Sequence, residues 1–145
     1  MKALVIYDSN YRNTQKVAEA IAAEFESEAI NVSSISLSEL SQYDLLIVGT
    51  PIIGWMPTVK MQEFLSGLKS DQLKGVKATS FDTRVKLFVH GDAMGKVANS
   101  LKSAGADICV NPMPFYVAGS KETPYLIDGE IEKAKSWAVS IKSGL

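Results

Sequence analysis

The run Leu4-Val-Ile-Tyr-Asp-Ser-Asn-Tyr-Arg-Asn-Thr-Gln-Lys-Val-Ala18 decides how this chain is read. Its first part belongs to an apolar, β-branched segment from Lys2 to Tyr7, the pattern of a strand buried on both faces. Its last part opens a segment in which Val17, Ala18, Ile21, Ala22 and Phe25 recur at helical spacing, predicting a helix of about four turns. Between them, Asp8 to Thr14 is a short polar strand-to-helix turn. Such a turn directs free backbone N–H groups and the positive end of a helix into one small space, which suits an anion such as phosphate. Ser9, Asn10, Asn13 and Thr14 add hydroxyl and amide donors, so the lysine of a Walker-type loop is not needed. The plainer alternative is that Asn13 or Ser9 only caps the helix.

Outward from this run, strand and helix patterns alternate. Ile30 to Ser36 alternates apolar and polar residues, predicting a short edge strand. Leu37 to Tyr43 suits one helical turn, and Asp44 to Gly49 is a second fully apolar strand ending in Thr50-Pro51. Pro57 stands where it would open the next helix, whose stripe is Val59, Met61, Phe64, Leu65 and Leu68. Val76 to Asp82 reads as a fourth strand, broken by Asp82-Thr83-Arg84, with Val85 to Val89 either an extension or a loop. Gly91-Asp92 is a turn with Asp92 capping a helix of stripe Met94, Val97, Ala98, Leu101 and Ala104, ended by Gly105. Ala106 to Val110 is the fifth strand, interrupted by Asn111-Pro-Met-Pro114 and continued or bulged at Phe115 to Ala118. A polar loop from Gly119 to Tyr125 precedes a last helix with Ile127, Ile131, Ala134, Ala138 and Ile141 on one face.

This order predicts a single α/β domain over residues 1–145, a doubly wound five-stranded parallel sheet of order 2-1-3-4-5 with helices on both faces. Ligands of such sheets bind outside the carboxyl ends of the strands, where the strand order reverses. The loops Asp8 to Thr14, Thr50 to Pro57 and Asp82 to Asp92 converge there.

Composition narrows the function. The 145 residues suffice for one core, and 46% hydrophobic with 21% charged residues is ordinary for a soluble protein. Apolar runs fall well short of the roughly 20 residues of a membrane helix, and Met1 to Asp8 is too short for a signal peptide, so a cytoplasmic protein is expected. Fifteen basic against sixteen acidic residues leave a net charge of -1, which argues against nucleic acid as a partner. One cysteine, Cys109, and one histidine, His90, offer neither a disulfide nor metal-ligand spacing. Cys109 reads as a buried strand thiol.

The segment Leu4 to Ala18 resembles the opening of the flavodoxins, with their Ser/Thr-x-Thr-Gly-x-Thr phosphate loop, and the resemblance to short-chain flavodoxins covers essentially the whole chain. Val48-Gly-Thr-Pro-Ile-Ile-Gly-Trp-Met-Pro57 is similar to the first flavin-flanking loop and Phe81-Asp-Thr-Arg84 to the start of the second. The resemblance implies noncovalent FMN and electron transfer between redox protein partners, in a monomer or weak dimer. It assigns the phosphate to Ser9, Asn10, Tyr11, Arg12, Asn13 and Thr14. The ring falls between Thr50, Pro51, Ile52, Ile53, Gly54 and Trp55 on one side and Asp82, Thr83, Arg84, Gly91 and Asp92 on the other. Trp55 offers a flat face for stacking or merely covers the helix beneath it. Gly54 suits either close backbone approach to the ring or a simple turn, and Arg84 is either a ligand group or a solvent-exposed charge.

The chain departs from that family's pattern in two ways. Arg12 stands where the pattern has glycine; a positive φ there would strain it, while its guanidinium suits a forked bond to phosphate. The charge of -1 gives little of the long-range steering that typical, strongly acidic flavodoxins have. Alternative functions are a flavin-dependent NAD(P)H or quinone reductase and an interaction module of the same fold that binds FMN weakly or not at all. A phosphorylated receiver domain needs an aspartate where this chain has Gly49-Thr50. His90 is either a proton donor near the second loop or a solvated side chain.

Overall fold

The computed structural model describes residues 1–86 and 91–145. Their element order is β1 (Ala3–Tyr7), α1 (Asn13–Glu24), β2 (Ala29–Asn31), β3 (Leu45–Pro51), α2 (Val59–Ser66), β4 (Lys77–Val85), α3 (Ala93–Ser103), β5 (Asp107–Ile108), β6 (Met113–Gly119), β7 (Pro124–Leu126) and α4 (Glu130–Ser143). Two 3-10 segments, Val32–Ser34 and Leu37–Gln42, join β2 to β3. The sheet runs β2-β1-β3-β4-β6-β7, with β5 also paired to β4. Pairing is parallel except between β6 and β7. The 2-1-3-4-5 order is therefore present, its fifth position shared by β5 and β6; the interruption expected over Asn111-Pro-Met-Pro114 falls instead at 109–112, because Met113 and Pro114 already pair with β4 as the start of β6. Among the described residues no helix is long and apolar enough to cross a membrane.

β1 and β3 are buried along almost their whole lengths because helices cover both faces. On one face Leu4, Ile6, Leu46 and Val48 meet Met61, Phe64 and Leu65 of α2 and Val97 and Leu101 of α3. On the other, Val5 and Ile47 meet Val17 and Ile21 of α1 and Trp137 and Ile141 of α4. There Phe81, Phe115 and Trp137 stack edge to face with ring centroids 5.8–6.3 Å apart. Phe81 also explains Gly49: a Cβ at Gly49 would lie 2.0 Å from the Phe81 ring, so only glycine lets that ring reach the strand.

Several sequence expectations need correction. The edge strand expected over Ile30 to Ser36 is only Ala29–Asn31, because Asn31 Oδ1 accepts from Ser33 N–H at 3.0 Å and turns the chain into a 3-10 segment. Helix α1 ends at Glu24, nearer three turns than four. Pro57 does not open α2; Thr58 caps it, its hydroxyl accepting from Met61 N–H. Val59 leaves the predicted stripe and is 69% exposed. The polar stretch Gly119 to Tyr125 folds partly back as β7. Above all, Asp82-Thr83-Arg84 does not break β4, which continues through them to Val85. Leu87 to Val89 of the segment read as extension or loop, and His90, lie outside the described residues.

Candidate functional site at the carboxyl edge of the sheet

Register brings the three loops to one level. Tyr7 pairs with Gly49, and Gly49 with Phe81, so Asp8, Thr50 and Asp82 follow side by side. Cross-loop bonds then lock them together. Asp8 N–H donates to Gly49 O at 3.1 Å, and Ile52 N–H to Thr83 O at 3.3 Å. The buried carboxylate of Asp8 accepts from Thr58 Oγ1 at 2.5 Å, while Thr58 N–H donates to Thr50 Oγ1 at 3.2 Å. Thr14 Oγ1 and Thr83 Oγ1 share a bond of 2.8 Å. Two hydroxyls joined by one bond keep one proton for a third group.

The first loop is built to receive an acceptor. Arg12 occupies the N-cap of α1 in the left-handed region, φ 67°, and among the described residues no side chain caps this helix. The capping roles considered for Asn13 and Ser9 are therefore corrected. Asn13 is buried, and its Nδ2 donates instead to Pro124 O at 3.1 Å, tying the loop to β7. Ser9 N–H is taken by its neighbour Asp8 Oδ1 at 2.9 Å, but Ser9 Oγ is buried with no hydrogen-bond partner among the described residues. A buried hydroxyl without a partner is costly unless a ligand or water completes it. Asn10, Tyr11 and Arg12 are exposed around it.

The second loop ends in a tight hairpin. Ile53 N–H donates to Met56 O at 2.8 Å, and Met56 N–H to Ile53 O at 3.1 Å, enclosing Gly54 and Trp55. Both enclosed residues have positive φ, 56° and 73°, the type I′ requirement that Gly54 meets freely and Trp55 meets under strain. Trp55 is thereby held at the tip, 56% exposed, rather than covering the helix below. Pro51 and Ile52 lie at the base of the hairpin, partly buried. Gly91, φ 68°, approaches so closely that a Cβ there would sit 2.9 Å from Trp55 Cα, so the second and third loops form one rim.

Asp82 and Arg84 sit differently from the other residues assigned to the third loop. Alternation along β4 directs both toward α3, where Arg84 Nε and Nη2 donate to the Asp82 carboxylate at 2.8 and 2.6 Å. Asp82 also accepts from Met94 N–H at 2.9 Å, and Arg84 Nη2 approaches Asp92 Oδ1 at 3.4 Å. The hydrogen bonds to Asp82 push the Arg84 guanidinium above its ordinary pKa. Arg84 is thus no solvent-exposed charge: its side chain is 6% exposed and that of Asp82 0%. Asp92 caps α3 as its position predicted, accepting from Gly95 N–H at 3.0 Å. Thr83, pointing the opposite way from Asp82, joins the first loop through Thr14. Sequence reading did not single out Asp8 and Thr58 for the site; an aspartate ending an apolar strand and a threonine before a helix were the available signals.

Other openings carry less chemistry. A cleft of about 350 Å³ between α2 and α3 is lined by Leu65, Leu68, Asn99, Ala104 and serines, with no titratable group. Among the described residues, no three or more His, Cys, Asp or Glu side chains gather as a metal site would require.

A doubly wound parallel sheet, three loops meeting at its switch point and helices on both faces define the flavodoxin-like class of α/β fold. The family model described as Flavodoxin matches residues 5–135, and the chain belongs to the flavodoxin family. An uncharacterized protein of Methanocaldococcus jannaschii is 28% identical over 97% of this chain and 98% of its own length. A flavodoxin of Maridesulfovibrio salexigens is 30% identical over 55% of this chain and 61% of its own length. The crystal structure of oxidised flavodoxin 1 from Bacillus cereus superposes with a TM-score of 0.83 at 22% identity, covering 100% of this chain and 99% of that one.

Proposed function

We propose that this protein binds FMN at the carboxyl edge and carries electrons between redox protein partners. The observation that carries the reading is, among the described residues, the buried, partnerless Ser9 Oγ beside a helix that no side chain caps. That is a cradle lacking its acceptor, and a phosphate supplies several acceptor oxygens at once.

The residues present fit the cofactor. Ser9, Asn10, Thr14 and the first N–H groups of α1 would hold the phosphate, with the Arg12 guanidinium beside them. Trp55 at the hairpin tip would stack on the ring, while Ile52, Gly54 and Gly91 let backbone approach it. Thr50, Thr58, Asp8 and the Asp82–Arg84 pair act as positioning residues that keep the loops in register. FMN, when bound, supplies reversible one-electron chemistry. The chain's task is then to exclude water from one side of the ring while leaving an exposed rim for a partner.

The test is Ser9→Ala. Loss of the hydroxyl should weaken FMN binding about tenfold, the value of one charge-assisted hydrogen bond, while leaving thermal stability intact or slightly raised. Unchanged affinity would remove the observation on which the reading stands. Steady NAD(P)H consumption with a quinone and no added reductase would instead favour a reductase.

A further inference from the structure

We propose that the carboxyl edge is a basic docking face whose partner is an acidic redox protein, an inference that rests on the electron-carrier reading above. Helices α1, α2 and α3 all begin at this edge. None has an acidic residue in its first turn, and each has an exposed lysine there: Lys16, Lys60 and Lys96. Lysine at a helix N-terminus opposes the helix dipole, which favours anions at that end. Helix α4 also begins at this edge, since its last turn meets the end of α1 where Lys142 Nζ donates to Glu24 O at 3.0 Å, and it follows the ordinary preference with Glu130 and Glu132 in its first turn.

The basic face is thus the α1–α2–α3 part of the edge; at α4, exposed Asp128 precedes the helix, Glu130 is buried, accepting from Tyr116 N–H and paired with Lys133, and Glu132 pairs with Lys135. Exposed Lys86 extends the patch, and none of these four cations is in an ion pair among the described residues. Nearby acids do little to cancel it. Asp8 is buried and bonded to Thr58, and Asp92 caps α3 and faces Arg84. Glu63 lies a turn further along α2, and Lys121 and Glu122 offset each other between β6 and β7.

Within this charged rim lie Tyr11, Ile53, Trp55 and Met56, all at least 39% exposed. An apolar, aromatic centre inside a charged rim is how protein interfaces are built. Because the whole chain carries -1, a positive edge makes the molecule an electrostatic dipole that turns this edge toward a negative partner.

The test uses FMN-loaded protein, reduced anaerobically and reoxidised by ferricyanide or by hexaammineruthenium(III), each ion taking one electron. Ferricyanide should slow at least about tenfold from low to high salt, and the cationic oxidant should gain. In the triple variant Lys60→Glu, Lys86→Glu, Lys96→Glu, the salt effects should reverse, with FMN affinity retained. The opposite salt dependence in the unaltered protein, following the net charge, would overturn the proposal. A protein that takes up no FMN fails the electron-carrier reading instead. The face is then read by NMR titration with poly-L-glutamate at low salt. Perturbations confined to the first turns of α1, α2 and α3 support it; no perturbation, or tighter binding of single-stranded DNA, overturns it.

Discussion

Replacing Arg12 with glycine separates the two roles open to this residue. Its φ of 67° puts it in the left-handed region, which costs an L-residue about 1–2 kcal/mol and glycine almost nothing. Glycine in turn raises the unfolded chain's entropy, offsetting roughly 0.5–1 kcal/mol of that relief. Folding stability should therefore change by under about 1.5 kcal/mol, and Tm by no more than about 5 °C for a chain of this size. FMN affinity should change as well. The exposed Arg12 side chain has no ion pair among the described residues, so it is available to a phosphate. A solvent-screened, charge-assisted hydrogen bond contributes about 1.4 kcal/mol, or tenfold in affinity. Arg12→Gly should weaken FMN binding about tenfold, measured by quenching of flavin fluorescence in parallel with thermal melts. Arg12→Lys, which keeps charge but loses the fork, should fall between. If the glycine variant binds FMN more tightly than the unaltered protein, Arg12 obstructs the site and the reasoning is wrong.

Other perturbations test the framework of the site. Arg84→Ala leaves the fully buried Asp82 carboxylate with, among the described residues, the Met94 N–H alone and should cost about 3–5 kcal/mol in urea unfolding; a cost under about 1 kcal/mol would mean the pair is not buried as described. Thr58→Val removes both the α2 cap and the donor to Asp8, a loss of about 2 kcal/mol expected in the same assay. Burial pushes the half-buried Cys109 thiol up from its ordinary pKa. The folded state therefore holds that proton more tightly than the unfolded chain does. Its contribution is fully present below the unfolded pKa and is lost as pH rises through the folded one. Stability should thus decline on the alkaline side, and Cys109→Ala should flatten that decline; an unchanged slope would assign it to other groups.

The parts legible in the sequence are those whose cause is local. Asp92 precedes an amphipathic run and caps it, and the apolar runs at Leu4 to Tyr7 and Leu45 to Val48 are buried because apolar residues on both faces need cover on both faces. What escaped has non-local causes. Asp82-Thr83-Arg84 looks like the end of a strand because three polar residues in a row should seek water. In the fold, alternation puts Asp82 and Arg84 on one face two residues apart, where each neutralises the other under α3, while Thr83 finds Thr14 across the sheet. Tertiary pairing overrides polarity there. Val59 fits the helical stripe but sits one residue after the Thr58 cap, before the helix reaches the sheet. β7 is called out by no apolar pattern because it is short, at an edge, and held mainly by backbone bonds to β6. In the candidate site, the loops were visible as breaks after apolar strands, polar at Asp8 to Thr14 and from Asp82 onward, and marked by Pro51, Gly54 and Pro57 in the second. The bonds that hold them at one level, Asp8 to Thr58 and Thr50 to Thr58, join residues up to 50 positions apart.

The central claim, an FMN site at the edge where α1 begins, is met most directly by titrating the apoprotein with FMN and following flavin fluorescence. The account predicts saturable quenching at one FMN per chain, competed by inorganic phosphate and weakened in Ser9→Ala. Flavin fluorescence that stays constant as protein is added in excess would contradict it.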